Sequence, residues 1–348
     1  MNGTFWSSTT LHDDPLFFVD RGEGPPTATL LFPVTQLLTL KNAAGDFEYL
    51  PGRDFEVEAS AGRVICSARS RIPVTTLDEL YPATDPGESS FMFRRDAPGT
   101  WLLHSEGDLF QRRQLRATYI HPLARWSASV AAFDEHALPR TLALLKSGAP
   151  ITIAVAGDSI AEGYNASGFL GVPPFQPSWV DRVAAGLQAA YESPVTLHNC
   201  ASAGWTADHG LADVERVGAA APHLVIVAFG MNDSGYASAG EFSANISGIL
   251  SGVRRTSPQA EFVLVSPMLP NQEWHYPVMG RFAEYQRALR ALRAPGVALA
   301  DVTAIWTELL LRKSFYDLTG NGINHPNDFG HRVYADVVLT RLCDLRAA

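Results

Sequence analysis

Ser159 is placed for chemistry by the pattern that precedes it. Residues 151–156 are apolar and rich in β-branched side chains, which predicts a buried parallel strand, and Gly157-Asp158 ends this run. Open α/β sheets bind ligands in the crevice beyond the carboxyl ends of their strands. Ser159 could therefore present its hydroxyl group as a nucleophile, or Ser159 or Asp158 could cap the following helix. This stretch alone favours neither interpretation.

Three more residues of suitable chemistry follow later strands or lie in the last loop. Gly204 lies in the loop after the second predicted strand, where a residue without a side chain lets the backbone approach a ligand. Asn232 follows the third strand and can donate its amide to a developing oxyanion. His325 precedes Pro326, which favours an extended backbone, and from there it can reach Ser159 as a general base.

Alternating strands and helices must position these four residues. Such alternation predicts an α/β fold, in which a parallel sheet carries helices on both faces. The predicted strands are residues 151–156, 195–199, 224–229, 262–266 and 297–301. The predicted helices are residues 177–192, 208–217, 241–256, 278–294, 303–313 and 328–346.

The first third of the chain shows a different pattern. Residues 1–125 contain short apolar segments separated by turn residues, which predicts an all-β sandwich of the jelly-roll kind. Residues 126–150 are predicted to form a connector that includes a helical stretch. The sequence therefore predicts a β-domain over 1–125 and a second domain over 151–348.

The composition limits the class of protein. A net charge of −9 argues against a nucleic acid or an anionic membrane as partner, and no apolar run reaches the length of a membrane span. The first residues do not read as a signal peptide, which predicts a cytoplasmic protein unless a leader has been removed. The three cysteines are scattered, so we expect no disulfide framework, metal or cofactor. The pattern leaves the oligomeric state open.

Four short blocks in the second domain together resemble the ordered motifs of the SGNH (GDSL) hydrolase superfamily: Gly157-Asp158-Ser159, Gly204, Gly230-Met231-Asn232-Asp233 and His325-Pro326. The resemblance covers about residues 151–346 and implies a three-layer, flavodoxin-like domain that hydrolyses carboxylic esters. It implies that Ser159 is the nucleophile and His325 the base. It also implies an oxyanion hole made by the N–H groups of Ser159 and Gly204 and the side-chain amide of Asn232. Carbohydrate esterases of the family 2 type, which deacetylate plant polysaccharides, have a similar two-domain architecture.

The residue that orients His325 departs from the family pattern. The family usually has an aspartate three residues before the histidine, but this position is Gly322. Asp317 is a candidate if the loop folds back, and Asp328 and Asp301 are weaker ones. A backbone carbonyl could instead hold the imidazole and leave a Ser-His dyad, as the family 2 carbohydrate esterases do. We slightly favour the dyad over Asp317.

Three aromatic residues near the motifs are candidates for substrate contact, namely Trp205, Tyr236 and Trp274, although ordinary packing is equally expected for each. The predicted function is a serine esterase that hydrolyses small acyl esters, chiefly acetyl esters, of sugars or oligosaccharides. A general short-chain acyl or lipid esterase is the alternative. A glycan-binding protein with a vestigial hydrolase domain is a third hypothesis, from a different class.

Overall fold

Strands fill most of the first 120 residues, and strands alternate with helices after residue 150. The computed structural model describes residues 4–84, 92–97, 99–122, 126, 130 and 132–344. The strands are β1 (Thr10–Asp20), β2 (Thr27–Thr29), β3 (Gln36–Asn42), β4 (Phe55–Glu58), β5 (Arg63–Cys66), β6 (Val74–Thr76), β7 (Met92–Phe93), β8 (Trp101–Leu102), β9 (Gln114–Ile120), β10 (Ile151–Gly157), β11 (Val195–Asn199), β12 (Leu224–Ala228), β13 (Glu261–Val265) and β14 (Val297–Ala300). The helices are α1 (Leu77–Leu80), α2 (Leu109–Arg113), α3 (Pro139–Lys146), α4 (Ser159–Glu162), α5 (Ser167–Leu170), α6 (Trp179–Tyr191), α7 (Ala207–Ala212), α8 (Val214–Ala219), α9 (Ala239–Thr256), α10 (Gly280–Ala291), α11 (Val302–Leu310), α12 (Phe315–Leu318) and α13 (Asp328–Leu339).

The predicted parallel sheet is present with all five of its strands. Their order is β11-β10-β12-β13-β14, and every neighbouring pair is parallel. This is the doubly wound 2-1-3-4-5 order. The direction in which strands are added to the sheet reverses between β10 and β12, and a crevice opens there at their carboxyl ends. The α/β prediction is confirmed, and the motif that contains Ser159 lies at this switch point.

Two predicted helices differ most from those observed, whereas the others agree to within about three residues at each end. The helix predicted over 208–217 is two helices, α7 and α8, separated at Asp213, whose backbone is not helical. The helix predicted over 328–346 ends at Leu339, and the chain continues in three-residue turns, such as that from Leu342 N–H to the Leu339 carbonyl. Residues 345 and 346 of that prediction lie outside the described residues.

Alternate residues of the central strands face two different apolar cores. Ile153 and Val155 pack in the core that includes α6, α11 and α13, while Ala154 and Ala156 pack in the core that includes α8, α9 and α10. A strand that is buried on both faces needs apolar side chains at consecutive positions, which is the pattern of residues 151–156.

The first third of the chain forms smaller sheets around the first core. Four strands in the order β3-β9-β1-β6 form a mixed sheet, in which β1 and β6 are parallel; β2, β5 and β4 form an antiparallel sheet, and β7 and β8 form a pair. The prediction of β structure is confirmed in this coarse form, with the short helices α1 and α2 added. A jelly-roll topology stays a prediction.

The two parts of the chain are joined by buried polar contacts. Nζ of Lys313 lies 3.0 Å from Oδ1 of Asp14 and donates hydrogen bonds to the carbonyls of Pro15 and Thr29 at 2.7 and 2.6 Å. The lysine side chain has no exposed surface. A domain boundary within residues 126–150 stays a prediction, and several of these residues lie outside the described ones.

Among the helices of the described residues, none has the length and apolar character needed to span a bilayer.

Candidate active site

Ser159 begins a short helix at the carboxyl end of β10. The side chain of Asp158 caps this helix by accepting a hydrogen bond from the Ile160 N–H at 3.0 Å, so Ser159 is not the cap. Oγ of Ser159 lies 2.8 Å from Nε2 of His325, and both residues are almost fully buried. At this distance an unprotonated imidazole nitrogen can accept the hydroxyl proton as the oxygen attacks an electrophile.

The loop before α13 holds His325 through a single asparagine. Oδ1 of Asn321 accepts hydrogen bonds from the N–H groups of Ile323, Asn324 and His325, each at 3.0 Å. The Gly320 N–H in turn donates to the His325 carbonyl at 2.9 Å. The loop is therefore wound around the Asn321 side chain, which fixes the backbone that carries the imidazole.

Nδ1 of His325 faces two side chains, not a backbone carbonyl. Oε2 of Glu106 lies 2.9 Å away and Oδ1 of Asn165 lies 2.7 Å away. The preference for a dyad with a carbonyl at Nδ1 is therefore wrong for this structure. A carboxylate at Nδ1 keeps the proton on that nitrogen, leaves Nε2 free to accept one, and stabilises the imidazolium that then forms.

Glu106 is itself held on its other oxygen. Oε1 lies 2.8 Å from Nε2 of His104 and accepts a hydrogen bond from Nδ2 of Asn321 at 3.2 Å. Burial acts to raise the pKa of Glu106, but the hydrogen bonds with His104 and His325 outweigh it and hold the pKa well below its ordinary value. The side chain is 43% exposed, and it stays a carboxylate at neutral pH.

The packing around Gly322 explains why the position of the family's aspartate is a glycine in this chain. Its φ is 91°, and a β-carbon would lie 2.4 Å from the Leu103 carbonyl oxygen and 2.5 Å from the Phe110 ring. The segment that contains Glu106 thus fills the space that an aspartate side chain would need. The Ser105 N–H donates to the Asn321 carbonyl at 3.1 Å, which fastens this segment to the histidine loop.

Asp317 does not reach the imidazole, and its assignment as a candidate partner of His325 is wrong. Its Oδ1 accepts a hydrogen bond from the Phe17 N–H at 2.7 Å, and its Oδ2 accepts one from the Ser314 N–H at 2.9 Å. Burial raises the pKa of Asp317 to about 6. Asp317 therefore joins α12 to β1.

The two weaker candidates also have other partners. Oδ1 of Asp328 accepts a hydrogen bond from the Ser167 N–H at 2.8 Å. Asp301 caps α11 and lies 2.9 Å from a guanidinium nitrogen of Arg290. Neither carboxylate is a partner of Nδ1.

Glu106 and Asn165 were not predicted from the sequence. They lie 219 and 160 residues before His325, and neither belongs to a recognisable motif. The only sequence signal was negative, because a glycine at position 322 means that any carboxylate at His325 must come from elsewhere.

The three predicted oxyanion donors lie at the start of α4 and on the loops after β11 and β12. The N–H of Ser159 has no acceptor within its helix, since it is the first helical residue. Gly204 has a φ of 77°, and the space beside its α-carbon is open. Nδ2 of Asn232 donates one hydrogen to the Trp205 carbonyl at 2.9 Å, which leaves its second hydrogen for a ligand. That these groups bind an oxyanion stays a prediction.

Two buried carboxyl groups brace these loops. Asp158 caps the helix of Ser159, and Oδ1 of Asp233 accepts a hydrogen bond from the Ala207 N–H at 3.0 Å. Burial raises the pKa of Asp158 to about 7 and that of Asp233 to about 6. Both act on backbone N–H groups, as aspartates in turns commonly do.

The three aromatic candidates for substrate contact differ in exposure. Tyr236 is 55% exposed, whereas Trp274 is 6% exposed and stacks on Tyr276 with ring centres 5.1 Å apart. Trp205 is half-buried and lies nearly parallel to the His209 ring at 6.1 Å. Tyr236 thus offers the largest free ring surface of the three, and contact with substrate stays a prediction for each.

Within residues 4–344, as far as the structure describes them, no group of three His, Cys, Asp or Glu side chains is arranged to hold a metal ion. Cys66, Cys200 and Cys343 are free and buried.

A doubly wound sheet carries a serine-histidine pair at its switch point, which is the arrangement that the SGNH resemblance implies. A model of the GDSL-like Lipase/Acylhydrolase family matches residues 155–333, just over half of the chain. The chain therefore belongs to this family.

Several solved structures are similar to part of the chain. A two-domain esterase (CEX) active on acetylated mannans is 21% identical, with a TM-score of 0.49, over 63% of this chain and 55% of that one. The lipase Lip_vut3 from a goat rumen metagenome is 16% identical, with a TM-score of 0.46, over 56% of this chain and 99% of that one. A variant of Axe2, an acetyl xylan esterase from Geobacillus stearothermophilus, is 22% identical, with a TM-score of 0.45, over 57% of this chain and 96% of that one. The chain thus spans little more than half the length of the first of these proteins, and no curated protein matches it.

Proposed function

We propose that the protein is a serine esterase that removes small acyl groups, in particular acetyl groups, from sugars or oligosaccharides. The observation that carries the proposal is the series of contacts from Oγ of Ser159 through the His325 ring to the Glu106 carboxylate. These contacts lie beside the two loops that bear Gly204 and Asn232.

In the first half of the proposed reaction, Ser159 attacks the ester carbonyl. Nε2 of His325 accepts the hydroxyl proton at 2.8 Å, and Glu106 stabilises the imidazolium from the other side of the ring. The negative oxygen of the tetrahedral intermediate accepts hydrogen bonds from the N–H groups of Ser159 and Gly204 and from the amide of Asn232. Each such donor stabilises the transition state by roughly 3 kcal/mol.

The second half releases the acid. His325 first passes its proton to the departing alcohol oxygen, and the acyl group stays on Ser159. A water molecule then gives a proton to Nε2 as its oxygen attacks the acyl-enzyme, and the same N–H donors bind the second oxyanion. The carboxylic acid leaves, and the proton returns to Oγ of Ser159.

Two exposed aromatic rings support a sugar as the alcohol part of the ester. Exposed rings of Tyr236 and Tyr276 lie next to Asn232, where they can cover the apolar face of a sugar ring.

Rates on a series of esters test the proposal. We expect faster hydrolysis of acetylated xylooligosaccharides and of p-nitrophenyl acetate than of p-nitrophenyl esters with longer acyl chains, and loss of all these activities in Ser159→Ala. Rates that rise with acyl length would instead favour a general or lipid esterase. A Ser159→Ala protein with full activity, or a wild-type protein that binds glycans without hydrolysing any ester, would refute it.

A further inference from the structure

An exposed polar cluster adjoins the proposed oxyanion loops, and the mechanism above does not use it. Asp208 lies in the first turn of α7, four residues after Gly204, and its side chain is 57% exposed. Tyr236 lies four residues after Asn232 and is similarly exposed. The Tyr236 hydroxyl donates to Oδ1 of Asp208 at 3.4 Å, so the cluster bridges the two loops.

The Asp208 carboxylate is held ionised and in place. The hydroxyl of Thr206 donates a short hydrogen bond to its Oδ1, and this bond is the main reason that the pKa of Asp208 lies below its ordinary value. More than half of the side-chain surface nevertheless faces solvent. An ionised, anchored and accessible carboxylate is a strong hydrogen-bond acceptor for a ligand hydroxyl group.

The cluster is fixed relative to the oxyanion donors. Trp205, which precedes Thr206, accepts a hydrogen bond from the Asn232 amide. The Tyr276 hydroxyl donates to the backbone carbonyl of Asn232 at 2.7 Å, which places a second partly exposed ring on the same side. A ligand bound at the cluster is therefore held at a constant distance from the donors.

We propose that Asp208 and Tyr236 form a subsite for the sugar part of the ester, in which the carboxylate accepts hydrogen bonds from sugar hydroxyl groups and the tyrosine ring covers the apolar ring face. This proposal rests on the proposed function and adds the residue that selects a polyhydroxylated alcohol over a simple one.

A carboxylate beside aromatic rings could also bind an ammonium group, but the surroundings favour a neutral polyol. Nδ1 of His209 lies 3.7 Å from Oδ1 of Asp208, and the Arg216 guanidinium lies 5.4 Å from the centre of the Trp205 ring. His209 thus already lies against the carboxylate, and an ammonium group would have to share it, whereas the Arg216 charge is paired with Asp213.

The test compares Asp208→Asn with wild type on three acetyl esters: an acetylated xylooligosaccharide, p-nitrophenyl acetate and acetylcholine. Loss of a charge-assisted hydrogen bond should lower kcat/KM for the oligosaccharide roughly tenfold or more relative to p-nitrophenyl acetate, mainly through KM. Glu215→Gln, at an exposed carboxylate on α8, is the matched control and should leave the ratio of the two values at the wild-type level.

An unchanged ratio in Asp208→Asn would overturn the subsite, as would a selective loss of acetylcholine hydrolysis, which would indicate an ammonium site. Neither result would touch the proposed esterase function, which the Ser159→Ala variant and the series of acyl esters test separately. Substitution of Tyr236 by Ala provides a second variant and should lower the same ratio through loss of the ring.

Discussion

At the scale of single residues, the charge of Glu106 determines how well His325 serves as a base. Glu106→Gln removes the carboxylate that stabilises the imidazolium, while Oδ1 of Asn165, at 2.7 Å from Nδ1, still orients the ring. We expect kcat for p-nitrophenyl acetate to fall roughly 100-fold, less than in triads without a second acceptor. Glu56→Gln, at an exposed position on β4, serves as the control. Wild-type kcat in Glu106→Gln would contradict the proposed role.

Ser159 and Glu106 differ in whether the sequence identifies them as candidate site residues. The position of Ser159 at the end of a strand follows from a local pattern, an apolar run and a tight turn, and the structure confirms this position. That pattern alone did not separate a nucleophile from a helix cap. Glu106 depends on tertiary packing, since the segment that contains it meets Gly322 from a distant part of the chain. Asp317 was a reasonable candidate by sequence distance, but sequence distance does not determine where a buried carboxylate finds its hydrogen-bond donors.

At the scale of elements, a carboxylate connects helix α4 to the loop after β11. Oε2 of Glu162, the last residue of α4, accepts a hydrogen bond from the Ala203 N–H at 2.7 Å, directly before Gly204. Glu162→Ala should let the Gly204 N–H move and lower kcat roughly tenfold, with little change in KM. This loss is smaller than the loss of kcat expected when one oxyanion donor is removed completely. Glu162→Gln keeps an acceptor and should restore most of the rate. An equal loss in both variants, or an effect on KM alone, would contradict this positioning role.

Burial and strand pairing explain which elements the sequence predicts well. Strands β10, β12, β13 and β14 are buried along almost their whole length, so each is a largely apolar run, whereas the edge strand β11 is partly exposed. The predicted positions of all five strands agree with the observed ones to within about a residue. The N-terminal strands pair at long range, as β1 does with β6 and β9, and their order therefore depends on partners that no local pattern identifies.

At the scale of the whole molecule, Lys313 holds the β structure and the α/β part together. Lys313→Ala leaves the buried carboxyl groups of Asp14 and Asp317 without their cation, and such a loss typically costs about 3–5 kcal/mol of unfolding free energy. Unfolding of both proteins in urea measures this loss of free energy. Lys146→Ala, which breaks an exposed pair with Glu135, should cost at most about 1 kcal/mol. Similar losses in the two variants would show that the buried contact is not what joins the two parts.

The buried carboxyl groups also determine how the stability of the whole molecule depends on pH. Burial raises the pKa of Asp158 to about 7 and the pKa values of Asp233, Asp317 and Asp336 to about 6. Between about pH 4 and pH 6 the folded protein therefore binds protons that the unfolded chain, with carboxyl pKa values near 4, does not. These four groups therefore contribute stability that increases as the pH falls through this window.

One buried histidine acts in the opposite direction. Burial lowers the pKa of His331 to about 3, so the unfolded chain gains a proton below about pH 6.5 that the folded protein does not bind, and this weakens the fold in acid. Four carboxyl groups outweigh one imidazole, and the net charge of −9 adds repulsion at neutral pH that protonation relieves. We therefore expect a higher Tm at about pH 5.5 than at about pH 8. Asp336→Asn should reduce this difference, since the amide does not titrate, whereas a wild-type Tm that falls steadily from pH 8 to 5.5 would show that the buried carboxyl groups do not control stability.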